Sequence, residues 1–326
     1  MYIALLGIWI KVLGIPNDTV QVFLWLWVGT IAWNSQAPWR SHLRFLRDWW
    51  LPLVGLVIYF YSRGLTDEFG LAVHVGMPIT VDKWLGAGVT PTERLQTAWC
   101  GDPCVKDSEP RLFDVYFTTV YATHFLAGLT IAAILWLRSR VEWERWMRRY
   151  LSINFGALVV YIVYPMAPPW MASEMGEMGP VSRITSRGWS EVGLDRIDLI
   201  LQGVGNPVAA MPSLHAGVSF LIAMYGLQRL HSSWRWLLIL YPLSMSTALV
   251  YYAEHYVIDI LAGALLAWFV LIGASAWERR QGRPDRDRLV TTGAMHSGDP
   301  TRPIPVSNRD HARSATDHSV GRPGVL

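Results

Sequence analysis

The sequence predicts an all-α, polytopic membrane protein folded as a helical bundle. The 326-residue chain is 52% hydrophobic and only 16% charged, which is less charge than a soluble domain of this size carries. Several apolar runs are long enough to cross a bilayer. Arginine-rich connections recur after alternate runs, as expected when those connections face the cytoplasm. The net charge of +3 is too small to indicate a nucleic-acid partner.

The N-terminal part, residues 1–48, is predicted to precede the main membrane domain as an addition. Residues 1–13 are apolar but too short to span, and Gly14 and Pro16 separate them from a first span at about residues 20–33. Two arrangements remain open, a single kinked span or an interfacial helix followed by a span. A basic connection then leads to the main domain and carries Arg40, His42, Arg44 and Arg47.

Residues 49–277 are predicted to form a six-helix membrane domain, which brings the total to seven spans. The predicted spans are about 49–61, 113–137, 151–164, 212–227, 236–252 and 256–277. Two long connections, at 63–111 and 166–211, separate them. Residues 278–326 are polar and too poor in apolar residues to order themselves, so we predict a disordered tail.

The arginine distribution also predicts which connections share a side of the membrane. Basic connections follow the first, third, fifth and seventh spans, so the positive-inside rule places them and the tail in the cytoplasm. The two long connections and the turn between the last two spans then lie outside. Because His215 and His255 both head spans that start outside, we expect the two histidines at one membrane face.

Two polar segments head the membrane spans that carry these histidines. Pro212 reads as a first-turn proline, which places Ser213 and His215 in the first turn of the fifth span. At the start of that helix, unpaired backbone N–H groups and the positive end of the helix dipole favour binding of a phosphate. In the second segment His255 and Asp259 are four residues apart, so a helix puts them on one face.

The residues Pro212-Ser213-Leu214-His215 resemble the second motif of the type 2 phosphatidic acid phosphatase superfamily. The stretch His255-Tyr-Val-Ile-Asp259, followed by Leu-Ala-Gly, resembles its third motif. The resemblance covers roughly residues 49–277 and implies a six-helix membrane fold, with the first span as an addition. It also implies an enzyme that cleaves or transfers lipid phosphoesters with the two histidines.

The chain departs from the superfamily pattern at two places. The first motif, a lysine followed by Arg-Pro, is absent, and the end of the fourth span reads Tyr164-Pro-Met-Ala-Pro-Pro-Trp170. The Ser-Arg that opens the third motif is replaced by Ala248 and Leu249. This pattern resembles the branch of fungal inositol phosphorylceramide synthase and its actinobacterial relatives. That branch implies transfer of a phospho-alcohol group between lipids and a bacterial plasma membrane.

The matched residues allow phosphoester transfer without a metal or cofactor. The superfamily assigns His255 as nucleophile and His215 as general acid. Asp259 would accept the other ring N–H of His255 and fix its tautomer. Ser213 and the first-turn N–H groups would hold phosphoryl oxygens.

The positive charge of the missing motifs must come from elsewhere in the chain. Arg183 and Arg187 lie in the outer connection just before the second motif, so we favour them as phosphate ligands. Other outer cations, which include Arg63 at a span end, are weaker candidates by sequence distance.

His124 lies inside the third span, where a polar residue indicates either a functional group or a histidine bonded to a neighbouring helix. Cys100 and Cys104 lie in an outer, oxidising location, so we favour a disulfide over two free thiols.

The leading function is a lipid phosphotransferase at the extracytoplasmic face, acting through a phosphohistidine. The expected partners are a phospholipid, polyprenyl or sphingolipid-like phosphate donor and a lipid or polyol acceptor. One alternative is a lipid phosphate phosphatase that uses water. A second is a non-catalytic transporter or scaffold, which the intact His215, His255 and Asp259 disfavour. The sequence specifies neither the donor nor the oligomeric state.

Overall fold

The computed structural model describes residues 1–13, 16, 19–64, 70–105, 109–185, 187–192 and 206–281. Within those ranges it consists of α-helices and has no strand, which confirms the all-α prediction. The helices are α1 (Tyr2–Leu13), α2 (Thr19–Trp33), α3 (Trp39–Gly64), α4 (Gly76–Leu85), α5 (Pro91–Trp99), α6 (Leu112–Arg138), α7 (Arg140–Val163), α8 (Pro169–Glu174), α9 (Leu214–Arg229), α10 (Leu240–Tyr251) and α11 (Val257–Arg280). Short 3₁₀ helices occupy Arg187–Val192 and Ser233–Ile239.

Each of the seven predicted spans coincides with one helix, namely α2, α3, α6, α7, α9, α10 and α11 in that order. Of the described helices, α6 and α11 are long and apolar enough to cross a membrane by length and composition alone. The helices α1 and α2 are apolar but shorter. The remaining predicted spans coincide with helices that are shorter or carry more charge.

The N-terminal residues form two helices, α1 and α2, which pack against each other. Tyr2 on α1 donates a hydrogen bond to the carbonyl of Trp25 on α2 at 3.1 Å. Trp9 packs edge-on against the same Trp25 ring, with centroids 5.7 Å apart. Aromatic contacts therefore hold α1 against α2.

The basic segments that the sequence assigned to connections are helical, which corrects the predicted starts of two spans. Helix α3 begins at Trp39, so the expected domain boundary after residue 48 falls inside a helix. Phe45 and Trp49 lie one turn apart on α3, stack with centroids 4.7 Å apart and are almost fully buried. This apolar pair extends the buried face of α3 beyond the predicted span.

Helix α7 likewise begins at Arg140, because its arginines find carboxylate partners inside the bundle. Arg145 pairs with Glu142 at 2.6 Å, and Arg149 pairs with Glu278 of α11 at 2.8 Å. All four side chains are at least nine-tenths buried. Buried charges are tolerated when they are paired, so these arginines belong to the helix core rather than to a solvated loop.

The C-terminal boundary also differs slightly from the expectation. Helix α11 continues to Arg280, three residues beyond the predicted end of the span. The predicted tail from residue 282 onward lies outside the described residues.

Candidate active site

The second motif folds as the capped start of α9. Ser213 is the N-cap, and its hydroxyl accepts a hydrogen bond from the backbone N–H of Ala216 at 3.3 Å. The helix begins at Leu214, so the prediction that Pro212 occupies its first turn is wrong. A serine at the N-cap satisfies an otherwise unpaired N–H, and this preference sets the boundary after the proline. His215 still lies in the first helical turn.

The third motif folds as the start of α11 and is capped by two carboxylates. Asp259 accepts a hydrogen bond from the backbone N–H of Tyr256 at 2.9 Å. Asp82, from α4, accepts from the N–H groups of Val257 and Ile258 at 3.0 and 3.3 Å. Burial raises the pKa of Asp82, and the two N–H donors oppose that rise. A residue from the first long connection therefore fixes the helix start that follows His255.

The two helix starts touch each other directly. The N–H of Ser213 donates to the carbonyl of Asp259 at 2.9 Å. A Cβ atom placed on Gly263 would collide with the Ser213 carbonyl oxygen, so only glycine permits this approach. Backbone contact between α9 and α11 thus sets the spacing of the two histidines.

The structure brings His215, His255 and Asp259 together. The ring centroids of His215 and His255 are 5.8 Å apart, which leaves room for a phosphoryl group to approach both. Nδ1 of His255 lies 3.4 Å from Oδ2 of Asp259, slightly longer than a strong hydrogen bond. His255 lies in the turn between α10 and α11 and is 7% exposed.

The environment of His255 keeps its ring neutral at physiological pH. Burial, with smaller contributions from the charges of Arg63 and Arg183, lowers the pKa of His255 to about 4. The Glu254 carboxylate and a hydrogen bond with the Ala210 backbone oppose this decrease. A neutral imidazole has the free lone pair that a nucleophile needs.

Both histidines line a cavity of about 250 Å³, whose wall is formed by polar and apolar groups in similar proportion. Its charged lining residues are Arg63, Arg183 and Glu254. The other lining residues are Tyr121, His124, Phe125, Tyr161, Pro168, Trp170, Asn206, Pro207, Ala209, Ala210, Leu214, His215 and His255. Two arginines beside two histidines make the cavity suitable for a phosphate ester.

Arg183 is held in the cavity wall by two contacts. Its guanidinium donates from Nε and Nη2 to the two carboxylate oxygens of Glu254, at 2.5 and 3.2 Å. It also lies over the Trp170 ring, 5.0 Å from the centroid. Burial alone would lower the pKa of Arg183, but the Glu254 carboxylate outweighs it and raises that pKa. The sequence indicated Arg183 but not Glu254, its neighbour on the turn that carries His255.

The second arginine of the cavity is Arg63, from the end of α3, rather than Arg187. Arg63 interacts with the hydroxyl of Tyr59. Arg187 is not among the described cavity-lining residues; it donates to the Glu109 carbonyl at 2.9 Å and pairs with Asp114 at 3.6 Å. The charge of a buried carboxylate on α6 thus holds Arg187 away from the histidines.

The Ser213 hydroxyl and the N–H groups of Leu214 and Ala216 on α9 have partners within the protein. Ser213 is fully buried, and its hydroxyl caps the helix. The N–H of Leu214 interacts with the hydroxyl of Tyr161, which itself donates to the Pro212 carbonyl at 2.9 Å. These groups shape the helix start, and the arginines remain the better candidates for holding phosphoryl oxygens.

Helix α6 forms the wall behind His215. Tyr121 stacks on the His215 ring with centroids 4.8 Å apart, and Phe125 meets it edge-on at 6.0 Å. His124 lies closest, with its ring centroid 4.0 Å from that of His215. Its Nδ1 atom is buried and has no hydrogen-bond partner among the described residues. The histidine inside the third predicted span therefore adjoins the candidate acid.

The two cysteines lie beside this site without lining it. Cys100 and Cys104 form a disulfide with Cα atoms 5.1 Å apart. Ser182, next to Arg183, donates its hydroxyl hydrogen bond to the Cys104 carbonyl at 2.7 Å. Gln96, one turn before Cys100, donates to the carbonyls of Ser182 and Tyr251. The first long connection thus supports the segment that carries Arg183.

A family model described as the PAP2 superfamily matches residues 105–273, about half of the chain. The chain belongs to the PAP2 superfamily. Its all-helical structure is accordingly that of a helical membrane fold. The resemblance drawn from the two motifs is confirmed, and the matched range includes His124, Arg183, His215, His255 and Asp259.

Two relatives of this PAP2 protein carry the names of the phosphotransferase branch. It is 32% identical over 149 residues to "Phosphoinositol dihydroceramide synthase" of Bacteroides thetaiotaomicron, covering 40% of this chain and 46% of that protein. It is 31% identical over 131 residues to "Inositol phosphorylceramide synthase catalytic subunit aur1" of Schizosaccharomyces pombe, covering 37% and 30%. The matches thus span less than half the length of either relative. No solved structure matches the chain significantly.

Proposed function

We propose that this chain is an integral-membrane enzyme that transfers a phosphate ester group between lipids through a phosphohistidine at His255. One observation carries the proposal. A neutral buried histidine with a carboxylate partner, a second histidine and two arginines all belong to one cavity. Phosphoryl transfer requires a nucleophile, a proton donor and charge stabilisation, and this cavity supplies each of them.

The proposed reaction has two balanced steps. In the first, Nε2 of His255 forms a bond to phosphorus while the bond to the leaving alkoxide breaks, and His215 gives that alkoxide a proton. Asp259 stabilises the positive ring through Nδ1. In the second, the acceptor hydroxyl gives its proton to His215 as its oxygen bonds to phosphorus and the bond to His255 breaks.

We assign the phosphate clamp to Arg63 and Arg183. They replace the lysine and arginines of the superfamily motifs that this chain lacks. The arginines approach from different elements, α3 and the second long connection, so they can hold different phosphoryl oxygens. Glu254 keeps Arg183 oriented while the substrate is absent.

The acceptor is proposed to be a lipid or polyol alcohol, so that a phospho-alcohol group of the inositol-phosphate type is transferred. The cavity volume of about 250 Å³ leaves space for a headgroup beyond the phosphoryl group itself. The names of both relatives describe syntheses of that kind. The site is proposed to face the extracytoplasmic side of a bacterial plasma membrane, with the C-terminal tail in the cytoplasm.

The intermediate can be trapped with a donor lipid labelled at phosphorus, in the absence of an acceptor alcohol. After a denaturing alkaline quench, where phosphohistidine survives, we expect label on the unmodified protein and none on the His255→Ala variant. His231→Ala serves as the control, since His231 is exposed and outside the cavity. Label retained by His255→Ala at the unmodified level would place the nucleophile elsewhere.

Adding an acceptor alcohol to the labelled intermediate separates transfer from hydrolysis. A transferase should move the label to the alcohol faster than water removes it. Equal loss of label with and without the alcohol would instead favour a lipid phosphate phosphatase with the same residues.

A further inference from the structure

A second cavity lies at the other end of α3 from the histidines. It has a volume of about 240 Å³ and forms where α2 ends, α3 begins and α6 meets α7. Its lining residues are Thr30, Asn34, Ala37, Ser41, His42, Arg44, Trp136, Leu137, Arg138, Ser139 and Arg140. Arg44 lines the second cavity and Arg63 lines the first, and the two residues are 19 positions apart on α3. At a helical rise of about 1.5 Å per residue, the two cavities are about 28 Å apart along the helix. That distance is close to the thickness of a bilayer core, about 30 Å.

Among the described residues, four basic side chains and no acidic one line the second cavity. Arg44, Arg138 and Arg140 contribute three permanent charges, and His42 adds a titratable ring. Asp48 lies beside the cavity and pairs with Arg140 at 2.6 Å. The charges of Arg44 and Arg47 still repel that of Arg140. A bound anion would relieve this repulsion.

One wall of this basic cavity is held in place before any ligand arrives. The Arg140 guanidinium lies over the Trp136 ring, 3.5 Å from its centroid. The same Asp48 carboxylate that pairs with Arg140 accepts a hydrogen bond from the Trp136 indole at 3.2 Å. Fixing these side chains in the unliganded protein reduces the entropy that binding would otherwise lose.

Exposed apolar side chains line the basic cavity or lie next to its lining residues in the chain, and we call them the apolar rim. Trp33 at the end of α2 is 79% exposed, and Trp39 at the start of α3 is 65% exposed. Leu43 and Leu137, which flank Arg44 and Arg138, are also exposed. A soluble anion would gain nothing from this apolar rim, whereas the acyl chains of a lipid would cover it.

We propose that this basic cavity binds the phosphate headgroup of an anionic lipid in the leaflet opposite the candidate active site. The arginines receive the headgroup phosphate, and the apolar rim receives the upper part of the acyl chains. Basic pockets between membrane helices bind anionic headgroups by this combination of contacts. The site is separate from the candidate active site and does not depend on the proposed function.

Native mass spectrometry of the full chain in detergent, with phosphatidylglycerol or phosphatidylcholine added, tests the proposal. The double variant Arg44→Gln/Arg138→Gln should bind phosphatidylglycerol about 30-fold more weakly, since each arginine near a headgroup contributes roughly a factor of five. Arg280→Gln is the matched control, because Arg280 is exposed at the end of α11 on the same predicted side of the membrane and does not line the cavity. It should bind as the unmodified protein does.

A second measurement guards against a variant that misfolds. Phosphatidylglycerol should raise the melting temperature of the unmodified protein and of Arg280→Gln, but not that of the double variant, while all three melt alike without lipid. Equal retention of phosphatidylglycerol by the double variant and the control would overturn the proposal. So would equal retention of phosphatidylcholine by the unmodified protein. Displacement of the lipid by an equal concentration of inorganic phosphate would mean a site for soluble anions and would also overturn it.

Discussion

The reactivity of His255 rests on burial, which holds its ring unprotonated. Because burial lowers the pKa of His255 to about 4, the neutral ring persists down to about that pH and is lost only below it. With an activated aryl phosphodiester, whose leaving group needs no acid, we expect kcat/KM to stay level as pH falls and to decrease only near pH 4. A pH–rate profile measures this directly. A decrease centred near 6.5, the value of an exposed histidine, would contradict the assignment.

The division of roles between the histidines predicts different responses to the leaving group. His215→Ala removes the proton donor, which contributes roughly 10²–10⁴-fold when the leaving group is an alkoxide. An aryl leaving group needs no proton, so it should restore most of the activity of this variant. His255→Ala should remain inactive with both substrates, since no bond to phosphorus can form. Comparing kcat for alkyl and aryl donors measures the difference, and equal rescue of both variants would reverse the proposed roles.

His124 is proposed to position His215, because the two rings lie 4.0 Å apart within the cavity. His124→Phe keeps an aromatic ring against His215 but removes the neighbouring polar group. We expect kcat for an alkyl donor to fall by about tenfold, part of the contribution of a general acid, with KM little changed and aryl donors unaffected. Ile134→Ala on the same helix is the control, because Ile134 is exposed and does not line the cavity. A fall of equal size for alkyl and aryl donors would indicate a general packing defect instead.

Sequence reasoning located the residues of the two motifs and ranked too low those that depend on distant contacts. His215, His255 and Asp259 could be grouped from motif order and predicted topology, although His255 lies in the turn before α11 and not on the helix face that its spacing from Asp259 predicted. Arg63 could not, since nothing in the chain near it marks a contact with a segment more than 140 residues away. The only feature of the sequence that indicated Arg63 was its charge at the end of an apolar helix. Arg187 was indicated by its position in the sequence. Its interaction with Asp114 depends on tertiary structure, which that position does not reveal.

At the level of helices, the contact between α9 and α11 should be the most sensitive part of the site. Gly263→Ala places a methyl group against the Ser213 carbonyl, so the two helix starts must separate and the histidine spacing must change. We expect a loss of activity of at least tenfold, as is typical when reacting groups move by about 1 Å. Gly273→Ala on the same helix is the matched control, because its Cβ atom would meet nothing within 4 Å.

The outcome can be read from initial rates together with the melting temperature of each variant. Gly273→Ala should match the unmodified protein or melt slightly higher, since alanine favours a helix by up to about 1 kcal/mol over glycine. Full activity of Gly263→Ala would mean that the site tolerates a wider spacing and that the backbone contact is not needed.

Helix starts were the least predictable features, and the reasons differ between helices. The start of α9 followed the capping preference of Ser213 rather than the position of Pro212. The helices α3 and α7 begin about ten residues before the predicted spans, because buried aromatic side chains stabilise the first turns of α3 and buried carboxylate partners stabilise those of α7. Those partners, such as Glu278 for Arg149, come from other parts of the chain. The length of an apolar run in the sequence contains no information about such contacts.

For the whole molecule, the predicted sidedness can be tested with thiol labelling. Both cysteines of the chain are joined in the disulfide, so an introduced cysteine provides the free thiol. Glu177→Cys lies in the second long connection and Ser233→Cys in the connection between α9 and α10, and both positions are exposed. In intact cells an impermeant maleimide should label the first variant and leave the second unlabelled until the membrane is opened. Labelling of both in intact cells would overturn the predicted topology.

The helices α7, α9 and α11 carry buried ion pairs on the side of the bundle away from the histidines, and these pairs affect how the chain folds during synthesis. Arg149 lies on α7, while Glu278, which accepts two of its hydrogen bonds, lies 129 residues later on α11. During synthesis α7 therefore enters the membrane long before this partner exists. Until the last helix leaves the ribosome, the unfinished protein holds an arginine that must stay near water or meet another acid. The final span thus closes the fold, and an interrupted chain carries an uncompensated charge that distinguishes it from the finished molecule.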